Sequence, residues 1–456
     1  MSAQPDTEVA KQMAQAPPEP RHHILGFDSW TKGAHHFERL IPALARQGAT
    51  LRLVHLGSWG NDPGRPRQER IGELEVRDIA YYGGASLERV LEVEAPDVVV
   101  LLSIETFAHR AMLRYCRRRS IPTLLLYHGL VNVQVTNDRR GSYGPQLLAH
   151  ARFVGTKVGK VLRRTLPCYL TSLVRTRADL GDWRRFIADS LRMALGRSAH
   201  RFSADSGSDM TATMCAVYTD ADVEHAIRSY AFAPQSVRVV GNPDLGRFGM
   251  TEQMLGSRLA GESPVEPRIM YIDTGLVNNG LVFRNYDEFV AHLVRTAEAI
   301  TAQGARMLLK LHPSHEEAAL RLPLAAARVE IVANHEFMDR LRAADACIVE
   351  PTTLALLPGL LGLPMFYAAY GELSVLRYGP VLMSYPRGRL LSDIRELSPG
   401  LSELRSECDA RATRAWIERN AGPIPIQDMP ERVAGVVQTL CAQRPRAAAA
   451  RGSAHD

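Results

Sequence analysis

Short apolar runs of strand length alternate with amphipathic segments of helix length from residue 22 onward, and this alternation constrains the fold more than any other feature. Examples are HHILGF, PDVVVLLS, ARMLLKLHP and ACIVEPTT. These runs lack the polar alternation of strands with one exposed face, so we expect helices to cover them on both sides. The repeated pattern predicts an α/β fold built on doubly wound parallel sheets.

The length of the chain predicts two such domains. A chain of 456 residues exceeds the usual size of a single core, so we predict two Rossmann-like domains with a ligand cleft between them. The predicted segments are a disordered N-terminus over 1–20, a first domain over 21–245 with a helical insertion over about 150–205, a second domain over 265–425, a C-terminal helix over 426–443 and a disordered tail over 444–456. Residues 249–267 are predicted to form a linker, and 33–48 a single amphipathic helix that ends at Gly48.

Cysteine usage, hydropathy and motif content predict a cytoplasmic protein that needs no metal. The six cysteines are scattered without a CxxC pair, which is typical of reduced thiols. No apolar run reaches the roughly 18 residues of a membrane span, and the N-terminus lacks the apolar core of a secretory signal. The sequence contains neither a DxD cluster nor an HExxH motif.

The predicted insertion over 150–205 is strongly basic. It carries twelve Lys and Arg against four Asp, with apolar residues at helical spacing,. One interpretation is a solvated helical insertion. The other is a surface that docks on an anionic membrane. Because the segment has few aromatic residues and no RNA-binding motif, we predict no nucleic-acid partner.

Polar residues follow three apolar strands of the second half, at the point where each strand ends. The residues are Asp273 and Gly275 after the first strand, Lys310, His312 and Pro313 at the end of the second, and Glu350, Thr352 and Thr353 after the third. Because the carboxyl ends of parallel strands share one edge, these groups are expected to form a phosphate cradle.

The individual residues of this cradle also have simpler interpretations. Thr352 has the position of a helix N-cap, and Asp273 before Thr-Gly has the pattern of an Asx-turn. Glu350 follows a buried strand, where an acid can bind a ribose hydroxyl. The joint arrangement favours a nucleotide site over these separate explanations.

The segments YIDTG, KLHP and EPTT, in this order, resemble the D/E-D/E-G, His-Pro and Ser-Ser/Thr motifs of bacterial sialyltransferases and polysialyltransferases. They also resemble capsule enzymes and glycerophosphotransferases of the teichoic-acid type. These are GT-B transferases that use a nucleotide-activated donor. The resemblance implies that His312, Thr352 and Thr353 contact the donor phosphate and that Asp273 is the general base. The first motif here is Asp-Thr-Gly, and the nucleotide of the donor stays open between CMP, CDP and UDP.

The first half contains a rival base and an acceptor-side group. His128, before Gly129 at a strand end, resembles the base of the glycerophosphotransferases, although it is also explained as a structural histidine in a turn. Asp28, Lys32, Gly33 and His35 lie between the first strand and the following helix. They are expected either to bind an anionic acceptor or to cap the helix.

Together these observations predict a metal-independent inverting glycosyltransferase. It would move a sugar from a nucleotide-activated co-substrate, with no other cofactor, to a glycan or lipid-linked glycan acceptor of the bacterial surface. The alternatives are a polyol-phosphate transferase, an isomerase resembling nucleotide-sugar 2-epimerases, and a non-catalytic glycan-binding or partner-binding protein.

Overall fold

Two separate β-sheets, each packed between helices, organise the computed structural model of the chain. The structure describes residues 21–28, 33–59, 64–84, 86–104, 106–127, 161–194, 211–259, 266–279, 282–283, 285–312, 315, 320, 324–406 and 409–444. No helix within these ranges is both long enough and apolar enough to span a lipid bilayer.

The first sheet has eight strands in the order β3-β4-β2-β1-β5-β6-β7-β8. Its strands are β1 (His22–Asp28), β2 (Ala49–His55), β3 (Gln68–Ile71), β4 (Leu74–Asp78), β5 (Val98–Leu101), β6 (Thr123–Leu126), β7 (Met214–Val217) and β8 (Val237–Val239). All neighbours are parallel except β3 and β4. The strand order reverses between β1 and β5, and such a switch point is where open α/β sheets bind ligands.

The helices of the first domain lie on both faces of this sheet. They are α1 (Ala34–Glu38), α2 (Ile41–Arg46), α3 (Leu87–Glu94), α4 (Phe107–Arg118), α5 (Leu166–Arg175), α6 (Leu180–Ala194) and α7 (Asp220–Tyr230). The next helix, α8 (Pro243–Arg247), packs instead on the second domain, because Leu245 belongs to the core of the second sheet. The single helix predicted over 33–48 is wrong. Pro42 lies in the first turn of α2, and its ring would clash with the carbonyl of Glu38 in a continuous helix.

The described part of the basic insertion, residues 161–194, is helical as predicted. It packs against α4, because Tyr169 of α5 contacts the Phe107 ring with centroids 5.5 Å apart. Arg114 of α4 also pairs with Asp182 of α6 at 2.9 Å. The rest of the predicted insertion, 150–160 and 195–205, lies outside the described residues.

The second sheet has six parallel strands in the order β11-β10-β9-β12-β13-β14. Its strands are β9 (Arg268–Ile272), β10 (Arg306–Lys310), β11 (Glu330–Ile331), β12 (Ala346–Val349), β13 (Met365–Ala368) and β14 (Gly388–Leu391). The helices that follow α8 are α9 (Tyr286–Ala302), α10 (Phe337–Arg342), α11 (Leu356–Leu361), α12 (Pro380–Met383), α13 (Leu397–Ser406), α14 (Ala410–Ala421) and α15 (Met429–Gln443). Here the switch point lies between β9 and β12.

The two domains exchange chain segments. The Gly256 and Arg258 amides donate to the carbonyls of Leu360 and Leu361, both at 2.8 Å, so part of the predicted linker is fixed to the second domain. Helix α15 crosses back in the opposite direction. Its apolar face belongs to the same core as Ile24 and Val98 of the first sheet. The predicted C-terminal helix thus completes the core of the first domain.

Candidate functional site

Two acids lie side by side at the switch point of the second sheet. Asp273 follows β9 and Glu350 follows β12, and both are buried. The Glu350 carboxylate accepts hydrogen bonds from the Tyr271 hydroxyl at 2.8 Å and from the Thr274 amide and hydroxyl at 2.9 and 2.7 Å. Glu350 therefore fixes the first residues after β9, and both of its oxygens face protein rather than a ribose.

The burial of Glu350 makes its charged form costly. Burial is the main cause that raises the pKa of Glu350 to about 8, and the neighbouring Asp273 carboxylate adds to the rise,. The hydrogen bonds from Thr274 and Tyr271 oppose this rise only in part. Near neutral pH the protonated form of Glu350 is therefore favoured.

Asp273 joins the loops that follow β9 and β10. Its carboxylate accepts from the Gly275 amide at 2.8 Å and from the His312 amide at 2.9 Å. The Nε2 atom of His315 lies 2.7 Å from the same carboxylate, and both side chains are fully buried. Gly275 has a φ of 74°, which favours glycine and explains the Asp-Thr-Gly sequence. The predicted Asx-turn is present, and the buried carboxylate is inaccessible to an acceptor hydroxyl in this arrangement.

The residues of the KLHP segment have different environments. His312 is exposed at the carboxyl edge of the sheet, and the bond from its amide to Asp273 fixes its backbone. Lys310 is buried, donates to the Leu311 carbonyl at 2.7 Å and lies 5.8 Å from the Phe337 ring centroid. The Lys310 ammonium group therefore faces the protein interior, whereas His312 faces the edge. Pro313 lies outside the described residues.

Thr352 and Thr353 begin the short helical segment that leads into α11. The Thr352 hydroxyl accepts a hydrogen bond from the Leu354 amide at 3.2 Å, as an N-cap,. Both threonines are half-buried, so part of each side chain still reaches solvent. The structure thus realises the capping interpretation of Thr352, and the hydroxyl can still donate its proton to an anion.

An open cleft of about 640 Å³ lies beside the buried acids, between α9 and the loops after β13 and β14. His292 in its wall lies 3.1 Å from a Glu372 oxygen and 3.4 Å from the Tyr271 hydroxyl. Burial lowers the pKa of His292, although Glu372 opposes the effect. His292 and Tyr271 were missed by sequence reasoning, because a single histidine inside a helix and a tyrosine inside a strand give no local signal.

A second polar group lies at the switch point of the first sheet. Asp28 is the last residue of β1, and His109 is in the first turn of α4, which follows β5. The His109 Nε2 atom lies 3.6 Å from an Asp28 oxygen, and its Nδ1 atom lies 2.8 Å from the Thr106 hydroxyl. The ring also contacts the edge of Phe27, with centroids 5.3 Å apart. His109 was not predicted. The Thr106 N-cap after a buried strand was the one available signal.

The other residues predicted in the first half are Gly33 and His35, at the start of α1, and Lys32 and His128. Gly33 is the residue before α1 and contributes no side-chain cap. The carbonyl of His35 accepts from Arg39 at 2.9 Å, and its ring lies against His36 with centroids 4.0 Å apart. The described contacts of His35 are therefore with neighbouring residues at α1. Lys32 and His128 lie outside the described residues.

No cluster of three His, Cys, Asp or Glu side chains suited to a metal ion occurs among the residues that the structure describes. The charged groups at both switch points are instead arranged in pairs.

Comparison with known proteins identifies the fold. No family model and no curated protein matches the chain. The calicheamicin glycosyltransferase CalG4 is similar, with a TM-score of 0.52 and 14% identity over 94% of this chain and 99% of that one. The wall teichoic acid polymerase TagF gives a TM-score of 0.49 and 13% identity over 93% and 90%. A putative UDP-N-acetylglucosamine 2-epimerase from Listeria monocytogenes gives 0.48 and 12% over 93% and 98%.

At such low identity these similarities define the fold alone. The predicted architecture, two Rossmann-like domains of the GT-B type, is confirmed by the two parallel sheets and by the similarity to CalG4. The resemblance to sialyltransferases, which rests on three short motifs, stays a prediction.

Proposed function

We propose that this protein is a GT-B transferase that moves a group from a nucleotide-activated donor to a hydroxyl acceptor. The observation that carries the proposal is the presence of a buried polar cluster at each of the two switch points. Asp273 and Glu350 lie at one, and Asp28 and His109 at the other. A two-substrate reaction needs two such sites, one for each partner.

The donor phosphate is proposed to bind at the second sheet. The exposed His312 ring and the half-buried side chains of Thr352 and Thr353 lie at this edge, and their polar groups are of the kind that make charge-assisted hydrogen bonds to a phosphate,. His312 would stabilise the negative charge that grows on the leaving phosphate. Asp273 would act as a positioning residue, because its bond from the His312 amide fixes the loop that carries this histidine. Glu350 would support it by fixing the residues after β9.

The proposed reaction is a single displacement with inversion, and the proposed acceptor is a surface glycan. A polyol phosphate is the second candidate for the transferred group, because the segments YIDTG, KLHP and EPTT also resemble glycerophosphotransferases of the teichoic-acid type. An epimerase would return the sugar nucleotide without releasing free nucleotide. Nucleotide release therefore separates a transferase from an epimerase.

A thermal-shift and turnover panel tests the donor site. The ligands are CMP, CDP, UDP, GDP and their sugar or polyol conjugates, and the variants are wild type and His312→Ala. We expect one nucleotide class to stabilise wild type alone. We also expect His312→Ala to lower turnover of its conjugate by roughly 100-fold, because a contact to the developing charge is lost.

The matched control for this panel is His335→Ala, which removes another exposed histidine of the same domain. It should behave like wild type. If no nucleotide stabilises wild type, the donor site is absent and the non-catalytic alternative gains support. If His312→Ala turns over at the wild-type rate, His312 has no part in the reaction.

We further propose that α5 and α6 dock the enzyme on an anionic membrane surface. Val174, Leu180 and Ile187 are exposed by 67%, 66% and 55%. Leu180 and Ile187 are seven residues apart on α6 and therefore share one face, with the exposed Arg184 between them,. An apolar stripe beside arginine is the composition that anionic lipid surfaces bind.

We expect wild type to cosediment with phosphatidylglycerol vesicles at low salt and to be released as salt rises. The double variant Leu180→Glu/Ile187→Glu should lose this binding. Val93→Glu, which changes an exposed valine on α3, is the control and should bind as wild type does. If wild type does not bind at low salt, the segment is an ordinary helical insertion.

A further inference from the structure

The Asp28 carboxylate is nearly buried, and the described residues leave its hydrogen-bonding capacity unused. Only 7% of its side chain is exposed, and the nearest partner, His109 Nε2, is 3.6 Å away, beyond hydrogen-bond distance,. Within the part of the chain that the structure describes, no donor reaches this carboxylate. The His109 Nε2 atom is itself buried without a hydrogen-bond partner. Such groups are costly to bury, so the pair requires an explanation.

A second Asp–His pair on the same sheet edge shows what a structural pair looks like. His55 is in register with Asp28 on one side and with Asp78 on the other. Asp78 accepts from the amides of Ser58 at 2.9 Å and Ala80 at 2.8 Å, and His55 Nδ1 lies 3.2 Å away. Burial alone would raise the pKa of Asp78, but the hydrogen bonds, with that of His55 foremost, lower it to about 2. This pair builds the turn after β2.

The Asp273 carboxylate of the second sheet follows the same rule. It accepts two backbone amides, from Gly275 and His312, and contacts His315. Both comparison pairs are thus explained by the loops that they fix. Asp28 also has a histidine partner but fixes no loop of the described chain, and 7% of its side chain is exposed, against 2% for Asp78 and 0% for Asp273. The difference indicates that Asp28 is held for a ligand.

The position and chemistry of Asp28 identify the kind of ligand. The carboxylate lies at the switch point of the first sheet, where an open α/β sheet binds its ligand. A carboxylate accepts hydrogen bonds and donates none, so the complementary group is a hydrogen-bond donor such as a hydroxyl. The acceptor of a transfer reaction carries such a hydroxyl, and its oxygen must lose a proton as it attacks.

We propose that Asp28 is the catalytic base of this enzyme and that His109, held by Thr106, is its positioning residue. The inference rests on the proposed transferase function. As the acceptor oxygen bonds to the transferred group, its proton moves to the Asp28 carboxylate. The bond between that group and the donor phosphate breaks, and the nucleotide leaves with the electron pair. His109 is fully buried beside Asp28 at 3.6 Å, so it can support the carboxylate by packing and a longer polar contact without touching the acceptor.

The test measures nucleotide release from the conjugate that wild type consumes in the donor panel, with a bacterial lipid extract as acceptor source. We expect Asp28→Asn to lower kcat about 1,000-fold, within the range for loss of a general base. Nucleotide-induced thermal shifts should be unchanged, because the donor site is on the other sheet. In Asp28→Ala, added formate should restore part of the activity by replacing the carboxylate.

His109→Gln should lower kcat by about 10- to 100-fold and displace the acid limb of the kcat–pH profile. The matched control is His55→Gln, a buried histidine on the same edge with a structural partner, which should keep both kcat and the pH profile. If Asp28→Asn binds nucleotide and retains more than about a tenth of wild-type kcat, the base assignment is overturned while the proposed function stands. If wild type neither binds nucleotide nor releases it, the proposed function itself fails, and the assignment fails with it.

Discussion

Replacing Asp273 with alanine is expected to lower the free energy of unfolding of the second domain by about 3–5 kcal/mol, the usual cost of removing one partner from a buried pair. The change leaves the Gly275 and His312 amides without their acceptor and His315 buried without its carboxylate. Urea unfolding, monitored by circular dichroism, should show the effect as a lower urea concentration at the midpoint of the second-domain transition.

Two further variants separate the buried pair from a general effect of losing an aspartate. Asp273→Asn keeps one carbonyl oxygen but places an amide donor against a second donor, so an intermediate loss of about 1–3 kcal/mol is expected. Asp393→Ala removes a more exposed aspartate that caps a short helix and pairs with Arg395. That change should cost much less stability than Asp273→Ala does, because an exposed cap and ion pair contribute little. A loss below about 1 kcal/mol in Asp273→Ala would contradict the role given to this carboxylate.

The central strands of both sheets could be predicted from the sequence because they are short, continuous apolar runs. The polar or partly exposed strands β3, β4 and β14 lack such a run and were not predicted. β5, β6, β12 and β13 are buried at every position, as expected for strands covered on both faces. The polar residues after β9 and β12 were placed at one edge for the same reason. Local pattern and global fold agree at these positions, which is the usual condition for a reliable prediction.

The Asp28–His109 pair could not be predicted, because it depends on strand order. The two residues are 81 positions apart in sequence, and they meet only because β5 lies next to β1 in the sheet. No short stretch of the sequence specifies that β1 and β5 are neighbours in the sheet. The histidine also lies in a segment that looks like an ordinary basic helix.

The direction in which a side chain points at a strand end could not be predicted from the sequence either. Lys310 was expected to face a phosphate, yet it follows Leu309 on the opposite face of β10 and packs near Phe337 of α10. Asp273 was expected to be an accessible base, yet two backbone amides hold it inside the protein. The sequence shows which polar residues reach the edge, and packing decides which of them face the cleft.

The stability of the second domain is expected to fall as pH rises from about 4.5 to about 8, because Glu350 keeps its proton in the folded state. Its pKa is about 8 when folded and 4.5 ordinarily. The folded chain therefore binds more protons in this interval, and the stabilisation present below pH 4.5 is lost by pH 8. The total change is roughly 3–5 kcal/mol. Glu350→Gln, which is neutral at every pH, should abolish it.

The decisive comparison is between wild type and Glu350→Gln at pH 5 and pH 9. At pH 5 the two should differ little, because both side chains are neutral and of equal size. At pH 9 the variant should be the more stable protein, since wild type then carries a buried charge beside Asp273. Glu372→Gln is the control. Burial would raise the pKa of Glu372, but its hydrogen bonds, including that with His292, lower it. Any pH-dependent change in stability caused by Glu372→Gln is therefore expected at acid pH. An equal difference between wild type and Glu350→Gln at both pH values would mean that Glu350 is already ionised at pH 5.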